Sequence, residues 1–232
     1  MTGHGIVEGT AVWLGIENLD TDQIMPKQFL HGVDRAGLDK GVFHDLRFDA
    51  RGAPSADCVF NAPQGRGASV LIGGGNFGCG SSREHAVWGM LQFGIRAVIA
   101  PSYGEIFFSN AMNNGLLLVT LARAQVEDIA QAVRADASTR VRIDVAARQV
   151  GVGGRGFGFE ISPRHRGMFL QGLDLIQEAL GARADIEAFE RSHWERVPWL
   201  RDVARRMVAQ AGQAGQATQS RPPARIVPFV VE

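Results

Sequence analysis

The chain has 232 residues, and its 24 basic and 24 acidic side chains give a formal net charge of zero. The balanced charge argues against a nucleic-acid-binding protein, which normally carries a basic face, and the 45% of hydrophobic residues argues against global disorder. No apolar run approaches the roughly 18–20 residues needed to cross a bilayer, and no secretory signal is visible at the N-terminus, so we expect a soluble, cytoplasmic protein.

Strands and helices alternate along most of the chain. A short strand at 10–14 leads into a polar loop with helix-start residues, and 26–30 predicts one helical turn. The segment 31–67 is rich in Gly, Pro, Asp and Arg without a sustained period, which is typical of a functional or mobile loop. The remaining pattern predicts strands at 68–72, 96–100, 116–121, 140–145, 149–152 and 156–161, and helices at about 82–93, 102–113, 124–135, 163–180 and 184–195.

The order of these elements predicts an α/β fold. Strand and helix alternate from 68 to 135, which implies parallel strands joined by crossovers. The flanks add more strands than helices, so we expect a mixed sheet with flanking helices. We predict one domain over residues 1–200 and a C-terminal extension over 201–232. Within that extension, 209–224 is predicted to be disordered, and the apolar end at 226–231 is a candidate docking segment.

A glycine-rich turn follows the strand at 68–72. Residues 73–78 contain Gly-x-Gly-x-x-Gly, the pattern of dinucleotide-binding folds. Here three more residues intervene before a helix begins, and the next strand ends in Ala-Pro-Ser rather than in the acidic residue that would hold a ribose. The Gly-Lys-Ser/Thr element of a P-loop is missing as well. Nucleotide binding is therefore disfavoured.

The start of the next helix is the stronger candidate for a ligand site. Ser81 and Glu84 have capping-box spacing, which predicts Ser81 as the N-cap of a helix whose first turn offers free N–H groups. Gly78 and Gly80 would let the backbone approach a bound group closely. Arg83 adds a guanidinium that grips a carboxylate through two hydrogen bonds. The pattern suits a small carboxylate or phosphate.

A purely structural interpretation stays open at this stage. Ser81 would then only terminate a helix, Arg83 would be a surface side chain, and His85 a packed or solvated one. His85 follows Ser81 by one helical turn, so a hydrolase-like Ser–His pair was considered. It is disfavoured because an N-cap side chain points back along the chain.

Two motifs carry a family resemblance that covers about residues 6–200. Residues 76–85, Asn-Phe-Gly-Cys-Gly-Ser-Ser-Arg-Glu-His, resemble the signature of the swivelling domain of the aconitase superfamily. Residues 20–24, Asp-Thr-Asp-Gln-Ile, with Pro-Lys-Gln-Phe-Leu at 26–30, resemble the companion motif of isopropylmalate dehydratase small subunits. The resemblance implies the swivelling β/β/α domain seen at the aconitase C-terminus. Further matching stretches lie at 43–48, 99–102, 114–117 and 172–176.

The resemblance implies half of a two-chain hydro-lyase of leucine biosynthesis, which isomerises 2-isopropylmalate to 3-isopropylmalate by dehydration and rehydration. The large subunit of such enzymes holds a [4Fe-4S] cluster that binds the substrate hydroxyl, and the small subunit is active only with it. By position, Ser81 would be the catalytic base, and Ser82 and Arg83 would bind substrate carboxylate. The supporting residues would be Asp20, Asp22, Gly80, Glu84 and His85.

The cysteine count agrees independently with a cluster on another chain. Iron–sulfur clusters usually take three or four cysteine ligands, and this sequence has only Cys58 and Cys79. We therefore expect no metal or cofactor bound by this chain alone. The expected partners are a large subunit and a small dicarboxylate substrate, with neither nucleic acid nor membrane.

Departures from the family pattern leave the substrate open. Leu118 stands where a proline is expected, and Leu46 stands where a tryptophan is usual, beside Arg47, which fits the pattern. The loop that discriminates between substrates should lie between residues 29 and 60. The acid is accordingly isopropylmalate or a related one of the citramalate or dimethylmalate type. A non-catalytic carboxylate-binding module is a further alternative.

Overall fold

A computed structural model of the chain describes residues 5–30 and 35–208. Its contacts divide the chain into two compact units, Met1–Glu178 and Ala179–Glu232. The predicted domain over 1–200 remains a prediction, because a division into compact units does not show how far an independently folding domain extends. The predicted disorder at 209–224 and the docking segment at 226–231 lie outside the described residues.

The first unit is built on a mixed sheet. Its strands are β1 (Ile6–Leu14), β2 (Val70–Gly73), β3 (Ala97–Ala100), β4 (Leu117–Thr120), β5 (Arg140–Asp144), β6 (Gln149–Val152) and β7 (Arg155–Gly158). These described strands form one seven-stranded sheet in the order β4-β3-β2-β1-β5-β6-β7. Pairing is parallel from β4 to β1 and antiparallel from β1 to β7, which confirms the predicted mixed sheet.

Eight helices lie in the described part of the chain. They are α1 (Thr21–Ile24), α2 (His44–Arg47), α3 (Glu84–Phe93), α4 (Glu105–Asn114), α5 (Arg123–Ala135), α6 (Pro163–Gln171), α7 (Leu175–Gly181) and α8 (Arg183–Arg196). Short 3-10 turns lie at Lys27–Phe29, Leu38–Lys40, Pro63–Gly65 and Pro198–Leu200. Helix α3 packs against α4, and α5 packs against β1, β2 and β3. Every residue of β2 and β3 is buried, as expected of strands in the middle of a covered parallel sheet.

Strand β1 is longer than the sequence predicted. It begins at Ile6 rather than Thr10 because its two halves have different neighbours. Residues Ile6 to Thr10 pair antiparallel with β5, and Ala11 to Leu14 pair parallel with β2. The first half includes Glu8 and Gly9, which hide the strand pattern in the sequence. One strand thus joins the parallel and antiparallel parts of the sheet.

Two other boundaries differ from the prediction. The helix predicted over 163–180 is two helices, because Gly172 adopts φ 68° and ends α6 in a left-handed conformation. The predicted loop at 31–67 contains α2 and two 3-10 turns in its described part. Strands and helices predicted over 68–135 are confirmed within a few residues, except for the start of α3, which bears on the candidate site.

Candidate active site

Three segments that follow parallel strands meet at the carboxyl edge of the sheet. The segments that follow β1 and β2 run side by side, and the Thr21 N–H donates to the Cys79 carbonyl at 2.9 Å. The segment after β3 joins them, since the Phe77 N–H donates to the Ser102 carbonyl at 3.0 Å. Open α/β sheets bind ligands at this edge. The residues of both sequence motifs, 20–24 and 76–85, are therefore brought together where a site is expected.

Ser81 lies at this edge but does not cap α3. The helix begins at Glu84, its N-cap is Arg83 in an extended conformation, and no side chain caps it. The predicted Ser81–Glu84 capping box is therefore wrong. A capping box stands instead at α1, where the Asp20 carboxylate accepts from the Asp22 N–H at 2.6 Å and the Asp20 N–H donates to Gln23 at 2.9 Å. Ser81 lies in a bend before the helix, and its hydrogen bonds run to the neighbouring segment rather than along a helix.

The Ser81 contacts converge on Thr21. The Ser81 N–H donates to Thr21 Oγ1 at 3.1 Å, and the two side-chain oxygens lie 2.9 Å apart. Thr21 Oγ1 also lies 3.1 Å from the Ser81 carbonyl oxygen, to which it can donate. The Ser81 oxygen also lies 3.4 Å from Asp22 Oδ1, to which the hydroxyl can donate when it does not donate to Thr21. Ser81 is exposed and Thr21 is 1% exposed, so a buried hydroxyl holds an exposed one in place.

Arg83 is held by the same acidic loop. Its Nη1 forms an ion pair with Asp22 Oδ1, and its side chain is 19% exposed. Asp20 fixes the Asp22 backbone through the cap of α1, so the two aspartates orient the loop and the guanidinium. Ser82, the residue before Arg83, is exposed. A hydroxyl pair and a fixed guanidinium therefore stand together at the edge, a set suited to hold a carboxylate.

The glycines of the turn serve internal packing. Gly78 and Gly80 have φ of 72° and 88°, which L side chains rarely adopt. A Cβ at Gly78 would collide with the Phe107 ring, and one at Gly80 with the Asp20 carboxylate. These contacts explain the two glycines by packing, and the close approach of their backbone to a ligand stays a prediction. The two glycines let the turn pack tightly on the elements that carry the site.

Glu84 and His85 face helices rather than the Ser81 hydroxyl. Glu84 Oε1 accepts from Asn114 Nδ2 at 2.6 Å, and Asn114 Oδ1 accepts from the Trp88 indole N–H at 2.9 Å. The His85 ring packs on Trp88 with centroids 4.9 Å apart. The hydrogen bonds of the Ser81 hydroxyl run to Thr21 and Asp22 instead, which agrees with rejecting a Ser–His pair.

An ion pair ties the ends of three strands together beside the site. Glu17, which follows β1, binds Arg123 at the start of α5 with distances of 2.6 and 3.1 Å. Its carboxylate also accepts from the Gly75 N–H, after β2, at 3.1 Å. Hydrogen bonding from Arg123, and then from Gly75, lowers the pKa of the Glu17 carboxyl. The loops that carry the motifs are thus fastened to one another.

The residues of this chain do not fit an iron–sulfur cluster. Cys58 is buried, and the Cys79 thiol donates to the Asn18 carbonyl oxygen at 3.2 Å. Within residues 5–30 and 35–208, no three His, Cys, Asp or Glu side chains are grouped in a way that could hold a metal ion.

Arg47, in the loop expected to discriminate between substrates, is directed into the protein. Its Nη1 donates to the carbonyl oxygens of Val42 at 3.1 Å and Asp39 at 3.4 Å, and its guanidinium lies over the Phe93 ring. Burial lowers the pKa of the guanidinium. Neighbouring Leu46 packs against the core. In this structure both residues support the loop.

Sequence reasoning missed three residues that organise the site. The sequence places Thr21 in a polar loop and gives no sign that Glu17 and Asn114 tie the site together. A threonine between two aspartates looks like a turn residue, and its burial depends on strand pairing with residues 79–81. Glu17 and Arg123 are 106 positions apart, so no local pattern signals their pairing.

The chain is similar in sequence to known proteins over most of its length. Residues 1–124 match the aconitase C-terminal domain family. The 3-isopropylmalate dehydratase small subunit 1 of Chromobacterium violaceum is 52% identical over 204 residues, covering 88% of this chain and 96% of that protein. The chain belongs to the 3-isopropylmalate dehydratase small-subunit family. This confirms the resemblance drawn from the two motifs, and with it the hydro-lyase class.

Other members of the family agree in extent and fold. The small subunit of Phenylobacterium zucineum is 45% identical over 195 residues, covering 84% of this chain and 96% of that protein. The crystal structure of a 3-isopropylmalate dehydratase from Methanocaldococcus jannaschii is 28% identical, with a TM-score of 0.57, covering 80% of this chain and 99% of that one. No helix in the described part of the chain is long and apolar enough to span a bilayer.

Proposed function

We propose that the chain is the small subunit of a two-chain hydro-lyase that isomerises 2-isopropylmalate to 3-isopropylmalate by removing and re-adding water. The observation that carries the proposal is the convergence of Ser81 and Arg83 on Asp22 at the carboxyl edge of the sheet. A potential base and a carboxylate-binding guanidinium are held side by side there. The family relationship supplies the reaction class.

In this proposal Ser81 moves the proton. Its oxygen takes a proton from the carbon next to a substrate carboxylate, and the electron pair of that C–H bond forms the alkene as the neighbouring C–O bond breaks. The hydroxyl leaves with the electrons of the C–O bond and becomes water by taking up a proton from solvent; a cluster on the large subunit would bind its oxygen. Rehydration runs in reverse with the positions exchanged, so Ser81 returns a proton to the carbon that had carried the hydroxyl. A serine oxygen acts as a base only if its charged form is stabilised. Thr21 and the guanidinium of Arg83 are the groups near enough to contribute.

Arg83 and Ser82 bind a substrate carboxylate in this proposal. A guanidinium meets a carboxylate with two parallel hydrogen bonds, which fixes orientation as well as position. Asp22 holds Arg83 in place before substrate arrives, so less conformational freedom is lost on binding. Ser82 is exposed beside it and offers a further donor.

The partner is a large subunit. The relatives are named as small subunits, and here Ser81 and Ser82 are exposed rather than enclosed. We assign the [4Fe-4S] cluster to that subunit, because the two cysteines of this chain do not form a site for it. We place the enzyme in the cytoplasm, which agrees with two unpaired cysteines.

The choice of isopropylmalate over related acids rests on the relatives' names. The two departures from the family pattern do not favour another acid. Leu118 is a buried residue of β4 that pairs with Val98, and Leu46 packs against the core. Neither side chain contacts the Ser81–Arg83 cluster.

Reconstitution tests the proposal. The chain is combined with its cluster-loaded large subunit, and alkene absorbance is followed with 2- and 3-isopropylmalate, citramalate and 2,3-dimethylmalate. We expect turnover of both isopropylmalates in preference to the other acids. A preference for another acid would correct the substrate, and tight carboxylate binding without turnover of any acid would show a non-catalytic binding module.

Two variants test the residue roles. Ser81→Ala should abolish turnover, and the exposed Ser192→Ala on α8 is its matched control. Arg83→Lys should raise KM and lower kcat, because an ammonium group cannot make the two-pronged contact, and exposed Arg191→Lys is its control. Full turnover by Ser81→Ala would show that the base assignment is wrong.

A further inference from the structure

Thr21 is the buried polar side chain of the site. Among the described residues it is the one polar or charged residue in the buried class, at 1% exposure. A hydroxyl buried without hydrogen bonds costs stability, so buried hydroxyls are normally hydrogen-bonded. The hydrogen-bond partners of Thr21 therefore show which group it positions. All three hydrogen bonds of the Thr21 hydroxyl oxygen are to one residue, Ser81.

The backbone fixes the Thr21 hydroxyl in place. The Thr21 N–H donates to the Cys79 carbonyl at 2.9 Å, and the Thr21 carbonyl accepts from the Met25 N–H at 2.9 Å. As a β-branched residue, threonine has few side-chain conformations. Its oxygen therefore stays beside Ser81, and only the hydroxyl hydrogen is free to rotate.

The Thr21 and Ser81 hydroxyls can form two hydrogen-bond arrangements, one for each charge state of Ser81. The Thr21 oxygen has two lone pairs and one hydrogen, and the Ser81 N–H takes one lone pair. With Ser81 neutral, the Ser81 hydroxyl can donate to the second lone pair while Thr21 donates to the Ser81 carbonyl oxygen. With the Ser81 side-chain oxygen charged, that oxygen has no hydrogen to give, and Thr21 can donate to it at 2.9 Å. The carbonyl oxygen at 3.1 Å is then released.

We infer that Thr21 is a positioning residue that stabilises the charged form of Ser81 by switching its donated hydrogen bond from the Ser81 carbonyl to the Ser81 side-chain oxygen. The inference rests on the proposed function, in which Ser81 is the base. Switching needs rotation about one bond and no movement of heavy atoms. The charge of Asp22, 3.4 Å from the Ser81 oxygen, opposes a charged Ser81, and the Arg83 guanidinium paired with the same Asp22 oxygen offsets part of that charge. Thr21 adds a donor directly to the Ser81 oxygen.

Two variants at Thr21 separate the hydroxyl from the volume it fills. Thr21→Val keeps the shape and removes the hydroxyl, whereas Thr21→Ser keeps the hydroxyl. In the holoenzyme we expect Thr21→Val to lower kcat about 10- to 100-fold, the range for a lost hydrogen bond to a charged group. KM for 2-isopropylmalate should change less than about threefold, because Thr21 does not touch substrate. Thr21→Ser should keep kcat within about threefold.

The pH profile gives a readout that a merely structural role would not move. Loss of the donor raises the pKa of the Ser81 hydroxyl, so kcat of Thr21→Val should reach its plateau at higher pH than kcat of the wild type. In a Ser81→Ala background, Thr21→Val should cause no further loss of any residual rate.

Each outcome bears on the inference. An unchanged kcat in Thr21→Val, equal losses in the Ser and Val variants, or an unshifted pH profile would overturn it. If Thr21→Val fails to fold, Thr21→Ala replaces it, because the space left lets water accept from the Ser81 N–H. An inactive Ser81→Ala with a fully active Thr21→Val would overturn this inference alone. Full activity in Ser81→Ala would overturn the proposed function as well.

Discussion

Replacing Gly80 by alanine tests how the turn supports the acidic loop. Gly80 has φ 88°, and a Cβ there would collide with the Asp20 carboxylate. That carboxylate caps α1 by accepting from the Asp22 N–H at 2.6 Å. The substitution therefore strains the backbone and also pushes Asp20 out of its cap. Gly52 is the matched control, because its φ is 78° and nothing lies within 4 Å of the position of its Cβ.

The two costs can be estimated separately. A left-handed conformation costs a non-glycine residue roughly 1–2 kcal/mol, and this applies to both Gly80→Ala and Gly52→Ala. Loss of an N-cap adds about 0.5–2 kcal/mol, and this applies only to Gly80→Ala. We therefore expect Gly80→Ala to lower the free energy of unfolding by about 1.5–4 kcal/mol, at least about 0.5 kcal/mol more than Gly52→Ala.

Urea denaturation at pH 7 measures the difference between these two variants. In an Asp20→Ala background there is no carboxylate to displace, so the two glycine substitutions should then cost about the same. Equal costs in the wild-type background would refute the claim that Gly80 makes room for Asp20. If Gly80→Ala still cost more stability than Gly52→Ala in the Asp20→Ala background, the added Cβ would collide with a group other than the Asp20 carboxylate.

Two further predictions concern ties around the site. Hydrogen bonding from Arg123, and then from Gly75, lowers the pKa of the Glu17 carboxyl. The stabilisation that the ionised carboxylate gives to the folded state is therefore complete above the unfolded pKa of about 4.3, and it is lost as pH falls through the lower folded pKa. Glu17→Gln should therefore reduce stability at pH 7 and flatten the loss of stability between about pH 5 and 3, followed by urea midpoints. Asn114→Ala should cost about 1–3 kcal/mol, because it leaves the half-buried Trp88 indole N–H without its acceptor, and a thermal melt that matches the wild type would contradict this.

The central α/β alternation could be predicted because each element carries a local signal. The strands at 68–72, 96–100 and 116–121 are largely apolar runs, the first two followed by Gly73 and Pro101, and the helices between them have a helical apolar period. Local signals failed where long-range pairing decided the outcome. Residues 6–9 form a strand because β5 pairs with them, although Glu8 and Gly9 break the pattern.

The start of α3 shows how a motif can be recognised although its local structure is predicted incorrectly. Ser81 and Glu84 have capping-box spacing, yet the helix begins only at Glu84, because residues 79 and 81 bond to the loop after β1. The motif is therefore shaped by a segment sixty positions away, and its serine is exposed beside a partner rather than committed to a helix end. A serine bonded into a cap would have its oxygen occupied by backbone N–H groups. Freed from that role, the Ser81 oxygen is bonded to hydroxyl and carboxylate groups that can exchange protons with it, which is the property that a base requires.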